Sequence, residues 1–175
     1  RLMGLGVSAD DASLALRGLQ TMPLRMEREA ASALILANWL DGRPEVARVL
    51  HPALAGDPGH NVWRRDFRGA SGLFSMELAP PYQECTSVFV DALRIFRIGA
   101  SWGSTQSIVT PQVPFRWSGA PDSTSPKLIR FSIGLEPVED LQADIAAALA
   151  ALSSANTRGA PNQAVNQREL QKEER

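Results

Sequence analysis

Hydrophobic and polar residues alternate most clearly in two stretches of the chain, and each stretch predicts a β-strand. In residues 71–78 one predicted face carries Gly72, Phe74, Met76 and Leu78. Residues 127–136 alternate in the same way, because side chains of a strand point to opposite faces in turn. Here Ile129, Phe131 and Ile133 share one face. Arg130 falls on the other face, so we expect it to point away from the most apolar side.

Helical periodicity predicts a long, Ala-rich helix at the start of the chain that a proline interrupts. Ser8 begins a hydroxyl-x-x-acid pattern that is typical of a helix start, and a helix is expected from about Ala9 to Met22. Pro23 lacks a backbone donor and should kink or interrupt this helix. Beyond it, up to Gly42, apolar residues recur at helical spacing at Met26, Ala30, Ala33, Ala37 and Leu40.

The remaining pattern predicts further short elements and a final helix. We expect a strand at 45–50, a short helix or turn at 60–68, a helix through Phe89 and Phe96 that stops before Gly99, a strand ending at Thr110, and a loop at 111–126. The last helix should bury Val138, Leu141, Ile145, Ala148 and Leu152. Residues 153–175 are polar and predict a tail that is disordered or partly helical.

The composition limits the classes of protein to which the chain can belong. The chain has 175 residues, 44% of them hydrophobic, which is enough to form one hydrophobic core. Its net charge of -1 gives no indication of binding to nucleic acid or to an anionic membrane. No apolar run approaches the roughly 20 residues that span a bilayer, and the N-terminus does not resemble a signal peptide. The single cysteine, Cys85, excludes a disulfide framework. We therefore expect a cytoplasmic protein, and the start on Arg1 suggests a fragment.

Few side chains in the sequence are arranged for catalysis. His51 and His60 lie in one loop region without the spacing of a zinc site, so we interpret them as surface histidines and predict no metal. The only lysines, Lys127 and Lys172, have no surroundings suited to a Schiff base. No glycine-rich phosphate loop is present.

Arg130 is the most promising binding residue. A guanidinium held on a strand keeps its charge and offers a planar fork that matches a carboxylate or phosphate. The alternative is an arginine paired with a neighbouring acid on a solvated sheet face, which is the commoner arrangement for a strand arginine.

Seven motifs in one order connect the chain to a known family. They are Gly6-Val-Ser-Ala-Asp-Asp-Ala12, Leu16-Arg-Gly-Leu-Gln-Thr21, Leu24-Arg-Met-Glu27, Val46-Ala-Arg-Val-Leu-His-Pro52, Arg65-Asp-Phe-Arg-Gly-Ala-Ser-Gly-Leu-Phe-Ser75, Ile98-Gly-Ala-Ser-Trp-Gly103 and Ile129-Arg-Phe-Ser-Ile-Gly-Leu-Glu136. Together they resemble the C-terminal part of the cysteine/methionine-metabolism family of pyridoxal-phosphate enzymes, in particular its cystathionine beta-lyase branch. The chain departs from the family pattern at Ser104-Thr-Gln106, where a glycine and a glutamate are usual.

The resemblance implies an α+β fold, the C-terminal small domain of the aspartate-aminotransferase-like fold (fold type I). Such a domain has a mainly antiparallel sheet with helices on one side, preceded by a long kinked helix. Residues 1–42 would be the kinked helix that links to an absent large domain, residues 43–152 the small domain, and residues 153–175 the polar tail.

The resemblance also implies a site and a chemistry. Arg130 would clamp the α-carboxylate of an amino-acid substrate, with Ser101 and Trp102 beside it, although a tryptophan there is nearly as often core packing. The cofactor would be pyridoxal 5'-phosphate, held by the large domain, so that no catalytic and no cofactor-binding residue is expected in this chain. The parent enzyme, expected to be a homotetramer, would cleave cystathionine to homocysteine, pyruvate and ammonia.

Two alternatives remain open. Cystathionine gamma-synthase or gamma-lyase activity belongs to the same family, and only the tryptophan of Ser101-Trp-Gly103 favours the beta-lyase over them. The chain is otherwise a non-catalytic module that pairs with a large domain, as the missing Schiff-base lysine suggests.

Overall fold

The computed structural model describes residues 6–112 and 127–159, and its strands form one five-stranded mixed sheet. The strands are β1 (Val46–Leu50), β2 (Leu73–Leu78), β3 (Arg97–Ile98), β4 (Ile108–Gln112) and β5 (Leu128–Ser132). Their order across the sheet is β1-β2-β5-β4-β3, and every neighbouring pair is antiparallel except β3 and β4. Strand β5, which carries Arg130, therefore lies at the centre of the sheet.

The helices precede, interrupt and follow the strands, which makes the described part of the chain an α+β structure. They are α1 (Ala9–Leu19), α2 (Met22–Asp41), α3 (His60–Asp66), α4 (Thr86–Ala92) and α5 (Val138–Gly159), with a 3-10 helix at Pro80–Cys85 before α4. Two cavities are lined in part by Met26 of α2.

The entry helix is interrupted where the sequence predicts it, but its first half is shorter than expected. Helix α1 begins after Ser8, whose hydroxyl accepts the Asp11 N–H at 3.1 Å, and it ends at Leu19 rather than at Met22. Pro23 lies in the first turn of α2, where its missing N–H would have had no helical partner. The proline therefore starts a second helix instead of kinking one helix.

The face of α2 that meets the core is also shifted from the prediction. Ala33, Ala37 and Leu40 are fully buried as expected, but the Met26 side chain is 46% exposed. The buried apolar residues of α2 all lie in its C-terminal half.

Aromatic rings form the centre of the core between the sheet and the helices. The Phe131 ring on β5 stacks on Phe74 of β2 at 5.0 Å and meets Phe96 edge-on at 5.4 Å. Phe89 of α4 approaches the same ring at 6.3 Å, so one helix is tied directly to the central strand. The predicted buried face of α5 is confirmed at Val138, Leu141, Ile145, Ala148 and Leu152.

The helix predicted through Phe96 is wrong beyond Ala92. Asp144 of α5 is buried, and its carboxylate accepts the backbone N–H groups of Arg94, Ile95 and Phe96 at 2.8 to 3.4 Å. Because these N–H groups point at one carboxylate, they cannot continue the helical ladder, and the chain turns into β3.

Two further predictions differ in their boundaries. The loop expected at 111–126 begins later, since Pro111 and Gln112 belong to β4, while residues 113–126 lie outside the described residues. Helix α5 continues to Gly159, so the first seven residues of the predicted tail are helical, and residues 160–175 lie outside the described part.

Candidate functional site

Arg130 stands in the middle of the sheet on the face opposite the aromatic core. Its strand neighbours Ile129 and Phe131 are fully buried, whereas Arg130 itself is half-buried. Across the sheet it lies directly opposite Ser75 of β2 on one side and Thr110 of β4 on the other. The prediction that this arginine points away from the most apolar side is confirmed.

The guanidinium of Arg130 is held by neutral oxygens. The two hydrogens on its Nη2 are shared among three acceptors, the carbonyl oxygens of Ala100 and Ser101 at 3.0 and 3.2 Å and Thr110 Oγ1 at 3.2 Å. Its Nε is buried and has no hydrogen-bond partner among the described residues. Within residues 6–112 and 127–159 it forms no ion pair with an acid. Its charge is therefore not neutralised there by any carboxylate of the protein, as an anion site requires.

Ser101 and Trp102 lie beside Arg130, so the structure brings the three predicted site residues together. The Trp102 ring centroid is 5.5 Å from Arg130 Cζ, within the range of a cation–π contact, and the ring remains 62% exposed. Ser101 meets the arginine through its backbone carbonyl. Gly103, which follows, has φ +75, a left-handed conformation that favours glycine. Trp102 is thus a surface ring on a tight turn and not part of the core.

The loop that carries these residues is fastened at its far end by Glu136, which the sequence analysis did not single out. The Glu136 carboxylate accepts both the backbone N–H and the hydroxyl of Ser107 at 2.8 Å. The Ser107 hydroxyl in turn accepts the Gly134 N–H at 2.9 Å. A Cβ at Gly134 would lie 2.5 Å from the Thr105 carbonyl oxygen, so only glycine fits between the loop and the turn after β5.

A cavity of about 440 Å³ lies next to the Arg130 site. Its walls include Trp102 and Gly103 from the loop, Ser132 from β5, and Arg25 and Glu29 from α2. The Glu29 side chain is buried, and burial raises its pKa, while the positive charge of Arg25 acts in the opposite direction. Glu29 lies on the N-terminal half of α2, and the spacing of apolar residues there did not predict a buried acid.

A second cavity of about 700 Å³ is mostly apolar and includes His51, Val62, Trp63 and Phe67 in its lining. The prediction of two surface histidines is wrong for His51, which is 1% exposed. Its Nδ1 accepts the Ala53 N–H at 3.1 Å, and its Nε2 is buried with no partner in the described residues. Burial lowers the pKa of His51, and the nearby Asp57 opposes that shift.

The described residues do not fit the anchoring of pyridoxal phosphate. Lys127 is on the surface and forms an ion pair with Glu84 at 2.5 Å, so it is not a lysine in a closed site; Lys172 lies outside the described residues. No group of three or more His, Cys, Asp or Glu side chains in the described ranges could hold a metal ion. None of the helices in those ranges is long and apolar enough to cross a membrane.

Comparison with known proteins supports the resemblance. The profile of a family described as Cys/Met metabolism PLP-dependent enzyme matches residues 1–150. A cystathionine beta-lyase of Bordetella avium is 45% identical over 153 residues, which cover 84% of this chain and 37% of that protein. An L-alanine/L-glutamate racemase of Wolbachia pipientis is 40% identical over 158 residues, covering 89% and 39%.

Solved structures agree at the level of the fold. The cystathionine gamma-synthase of Xanthomonas oryzae in complex with aminoacrylate and cysteine superposes with a TM-score of 0.77 at 33% identity, covering 87% of this chain and 41% of that one. The chain thus spans about two fifths of the length of the relatives it matches.

Proposed function

Because this chain belongs to the cysteine/methionine-metabolism family of PLP-dependent enzymes, we propose that it forms the substrate-carboxylate part of a carbon–sulfur lyase. The substrate is cystathionine, and the products are homocysteine, pyruvate and ammonia. The chain supplies Arg130, Ser101 and Trp102 for substrate binding, while the cofactor and the catalytic lysine belong to the portion of the family's length that this chain does not span.

The observation that carries the proposal is the state of the Arg130 guanidinium. It is fixed by three neutral oxygens, it is free of any acidic partner in the described residues, and an exposed indole ring lies over it. A fixed, unpaired guanidinium binds a carboxylate with charge-assisted hydrogen bonds, each worth about 1.5 to 3 kcal/mol. An amino-acid substrate offers such a carboxylate, and Trp102 would form a wall over it.

The beta-lyase reaction is favoured over its relatives by similarity. A beta-lyase is 45% identical to this chain, whereas the superposed gamma-synthase is 33% identical. Gamma-synthase or gamma-lyase activity is the alternative. The 40% identical relative is an L-alanine/L-glutamate racemase, so proteins this similar to the chain differ in the reaction they catalyse.

The proposed partner is the large PLP domain of the same enzyme, in a homotetrameric parent. Residues 1–42 would link to that domain, residues 43–152 would be the small domain of fold type I, and residues 153–175 would add a tail. Helix α1 supports this division, because no residue of it is buried and its apolar side chains are exposed: Leu14 65%, Leu16 65% and Leu19 54%. A partner surface would cover them.

The reaction is tested by the products that the PLP-loaded protein carrying this chain forms from cystathionine. We expect pyruvate and homocysteine. Cysteine with 2-oxobutyrate would replace the beta-lyase proposal by the gamma-lyase, and racemised alanine without cleavage of cystathionine would replace it by a racemase.

The carboxylate site is tested by Arg130→Lys, which keeps the charge but loses the planar fork. We expect KM for cystathionine to rise about 10- to 100-fold, the loss of one or more charged hydrogen bonds. Arg97→Lys is a matched control, since Arg97 is an exposed strand arginine on β3. An unchanged KM in Arg130→Lys would refute the carboxylate site.

The chain by itself is proposed to be inactive, because Lys127 is a surface residue paired with Glu84 and the sequence around Lys172 carries no cofactor motif. We expect no stoichiometric lysine adduct when the 175-residue chain is mixed with pyridoxal phosphate and reduced with borohydride. A single, fully modified lysine would show that the chain holds its own cofactor.

A further inference from the structure

Thr110 lies at a point where the arginine and its loop meet. It is the direct cross-strand neighbour of Arg130 on β4, and its hydroxyl is within hydrogen-bond distance of both Arg130 Nη2, at 3.2 Å, and the Gly99 carbonyl oxygen. Gly99 begins the loop that carries Ser101 and Trp102. One small side chain therefore touches the two elements that build the candidate site.

The chemistry of a hydroxyl gives this contact a direction. A threonine hydroxyl has one hydrogen to donate and two lone pairs to accept with. The Gly99 carbonyl can only accept, so it takes the hydrogen, and the lone pairs of Thr110 Oγ1 are left for the Arg130 N–H. The result is an ordered chain from guanidinium to hydroxyl to loop carbonyl, in which each bond polarises the next.

We propose that Thr110 is a positioning residue for carboxylate binding, one that sets the orientation of the Arg130 guanidinium and couples it to the Ser101–Trp102 loop. The proposal rests on the proposed function of Arg130. Without the hydroxyl, Nη2 keeps only the two loop carbonyls, which belong to the element that Thr110 itself fastens. The arginine side chain and the loop then lose the hydroxyl that both of them contact.

The other cross-strand neighbour provides a comparison within the same structure. Ser75 on β2 also faces Arg130 and also carries a hydroxyl, but it makes no hydrogen bond to Arg130 among the described residues. Two hydroxyl residues thus flank the arginine, and only one of them is bonded to it. Ser75 is therefore the natural control position.

The experiment measures how well the PLP-loaded protein distinguishes a substrate carboxylate from a neutral isostere. KM is determined for cystathionine and for its mono-carboxamide, in which the α-carboxylate of the cleaved end is an amide. Thr110→Val keeps the shape and the β-branched character that a strand favours and removes only the hydroxyl. Thr110→Ser keeps the hydroxyl.

In Thr110→Val we expect the preference for the carboxylate to fall about 3- to 10-fold, the scale of one hydrogen bond, with kcat changed less than KM. Thr110→Ser and the control Ser75→Ala should keep the wild-type preference. An independent readout is the NMR order parameter of the Arg130 Nε–H group, measured by nitrogen-15 relaxation on the 175-residue chain. This order parameter should fall in Thr110→Val and return to the wild-type value in Thr110→Ser.

The outcomes separate the two proposals. If Arg130→Lys abolishes the preference for the carboxylate while Thr110→Val leaves it intact, Arg130 binds the carboxylate and Thr110 does not position it. If Arg130→Lys leaves the preference unchanged, the carboxylate site itself is refuted. If Ser75→Ala and Thr110→Val lose the preference for the carboxylate equally, the effect of Thr110→Val comes from a general disturbance of the sheet. That result would overturn the proposal.

Discussion

The two faces of strand β5 are built on different principles, although their residues alternate along the same five positions. On one face Phe131 is fully buried and in contact with three other aromatic rings. On the other face Arg130 is half-buried, donates hydrogen bonds to neutral oxygens and lies against the Trp102 ring. The first face stabilises the fold, and the second presents a charge in a fixed direction.

The difference separates stability from binding within one strand. The aromatic face stabilises by removing apolar surface from water, so it is closed to solvent. A carboxylate site requires orientation, and it stays accessible because its ligand must enter. We therefore expect substitutions on the aromatic face to lower the free energy of unfolding, and substitutions on the arginine face to affect binding.

The largest effect on stability is expected for Phe131→Ala. Removing this buried ring should lower the free energy of unfolding by about 3 to 5 kcal/mol, because the transfer term and the cavity add. Urea denaturation followed by circular dichroism measures it. Phe67→Ala is the control, since Phe67 is 63% exposed and should change stability by no more than about 0.5 kcal/mol. Equal losses in both variants would contradict the core assigned to Phe131.

Asp144→Ala should have the next largest effect. Three backbone N–H groups at residues 94–96 lose their common acceptor, and a cost of about 2 to 4 kcal/mol is expected for leaving them unsatisfied. Asp140→Ala, a change at an exposed acid on the same helix, is the control. If Asp144→Ala is no worse than Asp140→Ala in urea denaturation, the carboxylate does not hold the start of β3.

These contacts also mark the limit of what the sequence could predict. Alternation and helical spacing identified β2, β5 and the buried face of α5, because local periodicity follows directly from burial. The position at which α4 ends was not predicted, because the residue that determines it, Asp144, lies about fifty residues away in the chain. The role of Glu136 was not predicted for the same reason, since its hydrogen-bond partner Ser107 is 29 residues away.

The site residues also divide into those that the local sequence predicted and those that depend on contacts between distant parts of the chain. The alternation alone predicted where Arg130 points, and the family motifs drew attention to Ser101 and Trp102. Neither indicated Thr110, whose contact with Arg130 depends on the register of β4 against β5. His51 was misassigned because a loop histidine next to a proline gives no sign of burial, and it is the packing of the loop that buries it.

A smaller effect on stability is expected for Arg130→Met, in contrast to its neighbour Phe131. The carbonyl groups of Ala100 and Ser101 lose a donor, but both residues are exposed, and water can replace it. We expect a change in the free energy of unfolding within about 1 kcal/mol, together with the loss of carboxylate binding. A destabilisation as large as that of Phe131→Ala would mean that the arginine face also carries the fold.

The smallest effect is a pH dependence that His51 should add to stability. Burial lowers its pKa in the folded state below the ordinary value of 6.5, so the unfolded state takes up a proton first as the pH falls. The contribution of neutral His51 is therefore fully present above about pH 6.5 and is lost progressively below it, down to the lowered pKa of the folded state.

His51→Asn tests this dependence, because the amide oxygen can still accept the Ala53 N–H but the side chain does not titrate. The urea midpoints of wild type and variant, measured at about pH 7.5 and about pH 5.5, should fall less with acidification in the variant. His60→Gln removes the other histidine of the chain, at the start of α3. If that substitution flattens the pH dependence and His51→Asn leaves it unchanged, the buried ring of His51 is not the source of the pH dependence.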